Sequence, residues 1–90
     1  MPTRPSQNDP ERSAAWAYYK KQVGGRIRQI RKARGLTQES LALESGVTRN
    51  VLIQVEHGRR GLLFERLFDI AEVLDVQAGE LLSGIEAPRR

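Results

Sequence analysis

Thr37-Gln38-Glu39-Ser40-Leu41-Ala42-Leu43-Glu44-Ser45-Gly46-Val47-Thr48-Arg49-Asn50-Val51-Leu52-Ile53-Gln54-Val55-Glu56 reads as two short helices about one tight turn. Thr37 and Thr48 each stand where a helix needs a side-chain oxygen to cap its free backbone N–H groups. The turn, Ser45-Gly46-Val47, offers in Gly46 a residue that tolerates φ > 0. Two helices meeting at a steep angle on so short a turn need a small residue at their closest approach, and Ala42 supplies it. Leu41, Val47, Leu52 and Val55 must then converge on one core. Counted from Gln38, the small residue, the glycine and these apolar positions fall at 5, 9 and 4, 10, 15, 18. Any one match is cheap; six together specify a helix-turn-helix.

Working outward, every apolar pattern has helical spacing and none alternates as a half-buried strand would. Upstream, Val23, Ile27 and Ile30 repeat at i, i+4, i+7 and predict a core helix that stops at Gly35. Asp9-Pro10-Glu11 is a helix start, with a cap, a first-turn proline and an acid at the positive pole. Gly24-Gly25 is compatible with a break between the Trp16-Tyr18-Tyr19 segment and the core helix, and equally with a bend in one long helix. Downstream, Phe64, Leu67, Phe68, Ala71 and Leu74 trace a fourth helix, and Ala78 to Leu82 a short last one that packs Leu81 and Leu82. The expectation is an all-α, compact five-helix domain over 21–84. An N-terminal arm over 1–20, which adds a helix in one reading, precedes it, and a flexible tail over 85–90 follows.

The ninety residues include no cysteine and one histidine, His57, which excludes thiolate zinc sites, disulfides and the usual histidine cages. No apolar run approaches the ~20 residues of a bilayer crossing, and Met1 to Pro10 has no apolar stretch of the kind expected in a signal peptide. The expected setting is the cytoplasm, on the nucleoid. The net charge of +4 is unevenly spread. Residues 20–34 hold seven cations and no acid, whereas residues 61–88 hold six acids and Arg66 alone of the cations. Such asymmetry suits a face made for a polyanion. Ser45, His57 and Asp69 do not compose a catalytic set, because Ser45 belongs to the turn and so small a core leaves no pocket; no catalysis, metal or cofactor is expected.

Val23-Gly24-Gly25-Arg26-Ile27-Arg28, Arg31 to Glu39, Gly46-Val47-Thr48-Arg49, Val55 to Arg60 and Ile70-Ala71-Glu72-Val73-Leu74 together resemble the Cro/phage-repressor (Xre) family of DNA-binding domains over residues 21–83. The resemblance implies that the N-terminal half of the third helix docks in the major groove. Arg49, Asn50 and Gln54 would then meet base edges, the arginine on guanine and the amides on adenine, with Val51 touching a thymine methyl or belonging to the core. Thr37 and Gln38 resemble the family's phosphate clamp, Thr48 opens the recognition helix beside the backbone, and Arg59, Arg60 and Arg28 are the further phosphate candidates. Around the first helix, Arg26 and Arg34 point differently from Arg28 and Lys32. Arg31 and Glu56 match the family's partly buried ion pair, which holds the third helix on the first.

Several positions depart from the family pattern. Ile53 and Gln54 replace residues that are normally polar and basic, Gly61-Leu62-Leu63 replaces the usual Asn-Pro-Ser, and Leu43 stands at a usually charged site. Leu62, Leu63 and Phe68 form an apolar excess, expected to serve as a dimer interface because exposed apolar patches signal association and family members pair through their last two helices. Trp16, Tyr18 and Tyr19 admit three readings: an extra helix packed on the domain or completing a dimer seam, a DNA-contacting arm, or a membrane-surface segment. The partners expected are double-stranded DNA and a second copy, without a membrane. The alternative is an antitoxin-type or other protein-interaction module that uses the same domain for autoregulation, its partner held by the arm and the Leu62-Leu63 surface.

Overall fold

The computed structural model describes residues 9–86. Four α-helices follow in order, α1 (Pro10–Ala33), α2 (Gln38–Ser45), α3 (Arg49–Glu56) and α4 (Phe64–Leu74), and a 3-10 helix, Ala78–Leu82, closes the sequence of elements. No strand occurs among the described residues. Residues 1–8 of the expected arm and 87–90 of the expected tail lie outside them.

Each boundary has a local cause. Asp9 Oδ1 accepts the Glu11 N–H at 3.0 Å, Thr37 Oγ1 accepts that of Ser40 at 3.0 Å, and Thr48 Oγ1 that of Val51 at 3.2 Å. These bonds satisfy donors that the first turn of a helix leaves without intrahelical partners. At the other end of α2, Gly46 takes φ 75° and lets the Val47 N–H return to the Ala42 carbonyl at 3.1 Å. That reversal aims α3 across α2.

Two expectations need correction. The fifth element is a 3-10 turn and not an α-helix: Glu80 N–H donates to Gln77 O at 2.9 Å, an i→i+3 bond. Five residues containing Gly79 are too few to nucleate an α-helix. In this geometry residues three apart eclipse, so Leu81 shares a face with Ala78 and is buried, while Leu82 is turned outward and half exposed. On α4 the buried stripe is Leu67, Ile70, Ala71 and Leu74, spaced i, i+3, i+4, i+7; Phe64 and Phe68 stand on its flank, 70% and 58% exposed. Of the two alternatives open at Gly24-Gly25, the structure has the single helix: α1 runs through both glycines over 24 residues.

The core joins Ile27 of α1, Leu41 and Ala42 of α2, Val47 of the turn, Leu52 and Val55 of α3, Ile70, Ala71 and Leu74 of α4, and Leu81. Gly24 explains why α1 needs no break. It is buried against α3, and a side chain there would overlap the Val55 carbonyl oxygen. The glycine permits a close helix crossing, whose packing offsets the ~1 kcal/mol that glycine costs inside a helix.

Candidate nucleic-acid interface

The second helix of the motif is anchored at its C-terminal end. Arg31 Nε donates to Glu56 Oε2 at 2.7 Å and Nη2 to Oε1 at 3.0 Å, a two-pronged pair whose side chains are 8% and 1% exposed. Arg31 Nη1 reaches the Leu36 carbonyl at 2.8 Å, so the guanidinium also closes the turn between α1 and α2. Gln38 Nε2, from the first turn of α2, donates to Glu56 Oε1 at 3.0 Å. One carboxylate thereby ties α1, α2 and α3 together. Among the described residues no buried side-chain nitrogen or oxygen lacks a partner, the condition under which a buried charge pair is tolerated.

The N-terminal end of α3 faces outward. Thr48, Arg49 and Asn50 are exposed at consecutive positions, with Arg49 and Asn50 in the first helical turn. One turn on, Gln54 is half-buried, and so is Val51, which packs against the core. Thr37 is exposed at the cap of α2, and Arg59 and Arg60 are exposed in the loop after α3. The first turns of α2 and α3 and the loop after α3 thus carry the polar and cationic candidates, and the rigid part of the motif supports them.

The α1 cations divide into two groups. Arg28 is exposed and, with Lys21, Lys32 and His57, lines an open groove between α1, the end of α3 and the segment after the 3-10 helix. Arg26, which also lines the groove, and Arg34 bond back to the fold: Arg26 Nε donates to the Glu80 carbonyl at 3.2 Å and Arg34 Nη2 to the Asp75 carbonyl at 3.3 Å. Of the three apolar residues expected at a dimer seam, Leu62 is half-buried against the core, while Leu63 and Phe68 are exposed. Phe64 lies edge-on to Phe68 with ring centroids 6.4 Å apart and joins that patch.

Two contacts, those of Gly24 with α3 and of Gln38 with Glu56, had no counterpart in the sequence pattern. Gly24 gave the signal of a glycine inside a helical pattern, which marks a close approach but not the partner. Gln38 gave none, because its bond partner lies 18 residues away. Among the described residues there is no group of acids and histidines that could hold a metal, and no helix long and apolar enough to cross a membrane.

Comparison with known proteins agrees with this geometry. The HTH_3 helix-turn-helix family matches residues 27–81. The HTH-type transcriptional regulator y4dJ of Sinorhizobium fredii is 34% identical over 64 residues, which are 71% of this chain and 83% of that protein. Among solved structures, the restriction-modification controller protein C.AhdI from Aeromonas hydrophila superposes with a TM-score of 0.68 and 37% identity, over 69% of this chain and 94% of that one. SinR, a master regulator for biofilm formation solved in complex with DNA, gives 0.66 and 32%, over 68% and 98%; a SinR–SinI protein complex is also similar. With the motif, its caps and the match over most of the folded region in agreement, the chain belongs to the HTH_3 family of Xre/Cro-type helix-turn-helix DNA-binding domains.

Proposed function

We propose that this chain is a transcriptional regulator that binds a palindromic operator as a homodimer, with α3 of each copy in the major groove. The observation that carries the reading is the polarity of α3: Glu56 at one end is locked to Arg31 and Gln38, while Arg49 and Asn50 at the other are exposed and unencumbered by any core contact. A reading helix must be held rigidly at one end and offer hydrogen-bonding side chains at the other. Arg49 and Asn50 take the base edges, with Gln54 and the Val51 methyls behind them. Thr37, Thr48, Arg59, Arg60 and Arg28 take phosphates. Gln38 keeps one N–H on Glu56, and its second N–H serves the backbone. Leu63 and Phe68, with Leu62 beneath, supply the dimer contact. SinR and C.AhdI support the reading as a DNA-bound relative and a controller protein of the same fold.

Selection of bound duplexes from a random pool tests it. Recovered sites should be two-fold symmetric, with half-sites about one helical turn, ~34–36 Å, apart. Absence of binding to any duplex at low ionic strength would end the proposal. A second reading, in which the domain also serves a protein partner, is favoured by the exposed Leu63-Phe64-Phe68 patch and by the similarity to SinR in its complex with SinI. Co-purification of a stoichiometric second protein from the native host distinguishes the two.

A further inference from the structure

The first eleven residues of α1, 10–20, precede the point where the helix meets the core. Along α1, Val23 is the first side chain packed against the core, Lys21 Cα lies against Gly58, and Gly24 lies against the Val55 carbonyl. At 1.5 Å per residue, about 16 Å of helix stands N-terminal to that point. A helical segment of this length is marginal by itself, even with the Asp9 cap and three alanines to favour it. Yet it carries Trp16, Tyr18 and Tyr19, with Tyr18 exposed and the other two half-buried. Arg12 covers the Trp16 ring at 5.4 Å, and Tyr18 and Tyr19 meet edge to face at 5.8 Å. This half-helix is aromatic, with Arg12 and Lys20 one turn to either side of Trp16, and Glu11 and the Asp9 cap as its acids.

A second patch has the complementary character. Leu63, Phe64 and Phe68 are 70%, 70% and 58% exposed, and around them α4 carries Glu65, Asp69 and Glu72 with Arg66. Arg66 is already occupied by Asp69 at 3.1 Å, which leaves the face acidic. The other described residues of the chain leave this patch open.

We propose that two copies of this chain associate by reciprocal exchange, the aromatic N-terminal half of α1 of one copy lying on the Leu63-Phe64-Phe68 face of α4 of its partner. The proposal rests on the homodimer reading above and specifies what each copy brings to the seam. A two-fold axis requires a surface that complements itself, residue i meeting j and j meeting i. One aromatic patch bordered by cations and one bordered by acids on the same chain meet that requirement. The exchange also gives the projecting half-helix the packing that its length does not supply.

Trp16 is the chain's single tryptophan and reports directly. Sedimentation velocity and acrylamide quenching of Trp16 are followed together over increasing protein concentration, without DNA. Dimer formation should shift the emission to the blue and reduce quenching in step with the sedimentation change. Phe68→Ser, on an exposed site that leaves the fold intact by circular dichroism, should weaken dimerisation at least about tenfold and abolish the shielding at concentrations where the parent is dimeric. Trp16→Ala should weaken dimerisation comparably, read by sedimentation alone. A dimer in which Trp16 stays as accessible as in dilute solution, or which survives both substitutions, overturns the exchange and leaves the homodimer reading standing. A strict monomer at micromolar concentration, with and without DNA, overturns both.

Discussion

The backbone of Gly24 lies directly against the carbonyl of Val55, so close that a methyl group on Gly24 would overlap the oxygen. Here α1 and α3 cross, and here the placement of α3 in the motif is set. Gly58 repeats the contact one turn farther along α1: it has φ 75°, and a side chain there would stand 2.8 Å from Lys21 Cα. The two glycines let α3 sit on α1 at backbone distance, and Arg31 fastens it there through Glu56.

Adjacent glycines should therefore respond in opposite directions. Gly24→Ala forces α1 and α3 apart and should cost about 1–3 kcal/mol or more, as overpacking does. Gly25→Ala meets nothing within 4 Å on an exposed helical position and should raise stability by about 0.5–1 kcal/mol. Urea denaturation of the two variants checks both signs.

Removing one partner of the buried pair should be severe. Glu56→Ala leaves the Arg31 guanidinium, 8% exposed, without its carboxylate and takes an acceptor from Gln38; a loss of about 3–5 kcal/mol is expected. Replacing both, Arg31→Met with Glu56→Leu, should restore much of that loss, because no uncompensated charge remains. An unchanged midpoint for Glu56→Ala would show that the pair does not hold α3.

Base and phosphate contacts should separate in a binding assay. Arg49→Ala is expected to cost ~1–3 kcal/mol on the selected operator and to relax preference at one base pair. Arg59→Ala, exposed in the loop after α3, should weaken all sequences alike and reduce the slope of log K against log salt by about one. Equal loss on every duplex for Arg49→Ala would make it a backbone contact instead.

The two faces of α4 should differ sharply in their effect on the dilute monomer. Ile70→Ala removes a fully buried side chain and should cost about 2–5 kcal/mol. Phe64→Ser, at a 70% exposed site, should stay within about 0.5 kcal/mol. Thermal melts at concentrations below association give the comparison.

Much of the architecture was legible because it is written locally. The caps Thr37 and Thr48, the turn at Gly46 and the inward set Leu41, Ala42, Val47, Leu52 and Val55 all depend on contacts or periodicities within a few residues, and the structure shows them at those positions. Where the pattern had two local solutions, reading failed or stayed open. Phe64 and Phe68 continue the helical spacing of α4 as acceptably as Ile70 does, and only the placement of α2 across α4 selects Leu67, Ile70, Ala71 and Leu74 as the buried stripe. The closing 3-10 turn is too short for periodicity to distinguish it from an α-helix.

By itself, then, the sequence determined where helices start, stop and turn, because hydrogen bonds to the next three or four residues and the 3.6-residue repeat are properties of a segment alone. The tertiary structure decided that Gly24 is a crossing point and not a break, that Gln38 turns one N–H inward to Glu56, and that the aromatic rings of α4 remain outside. Each of these rests on a surface brought in from a distant part of the chain, and no segment carries information about the neighbour that will cover it until the helices have packed.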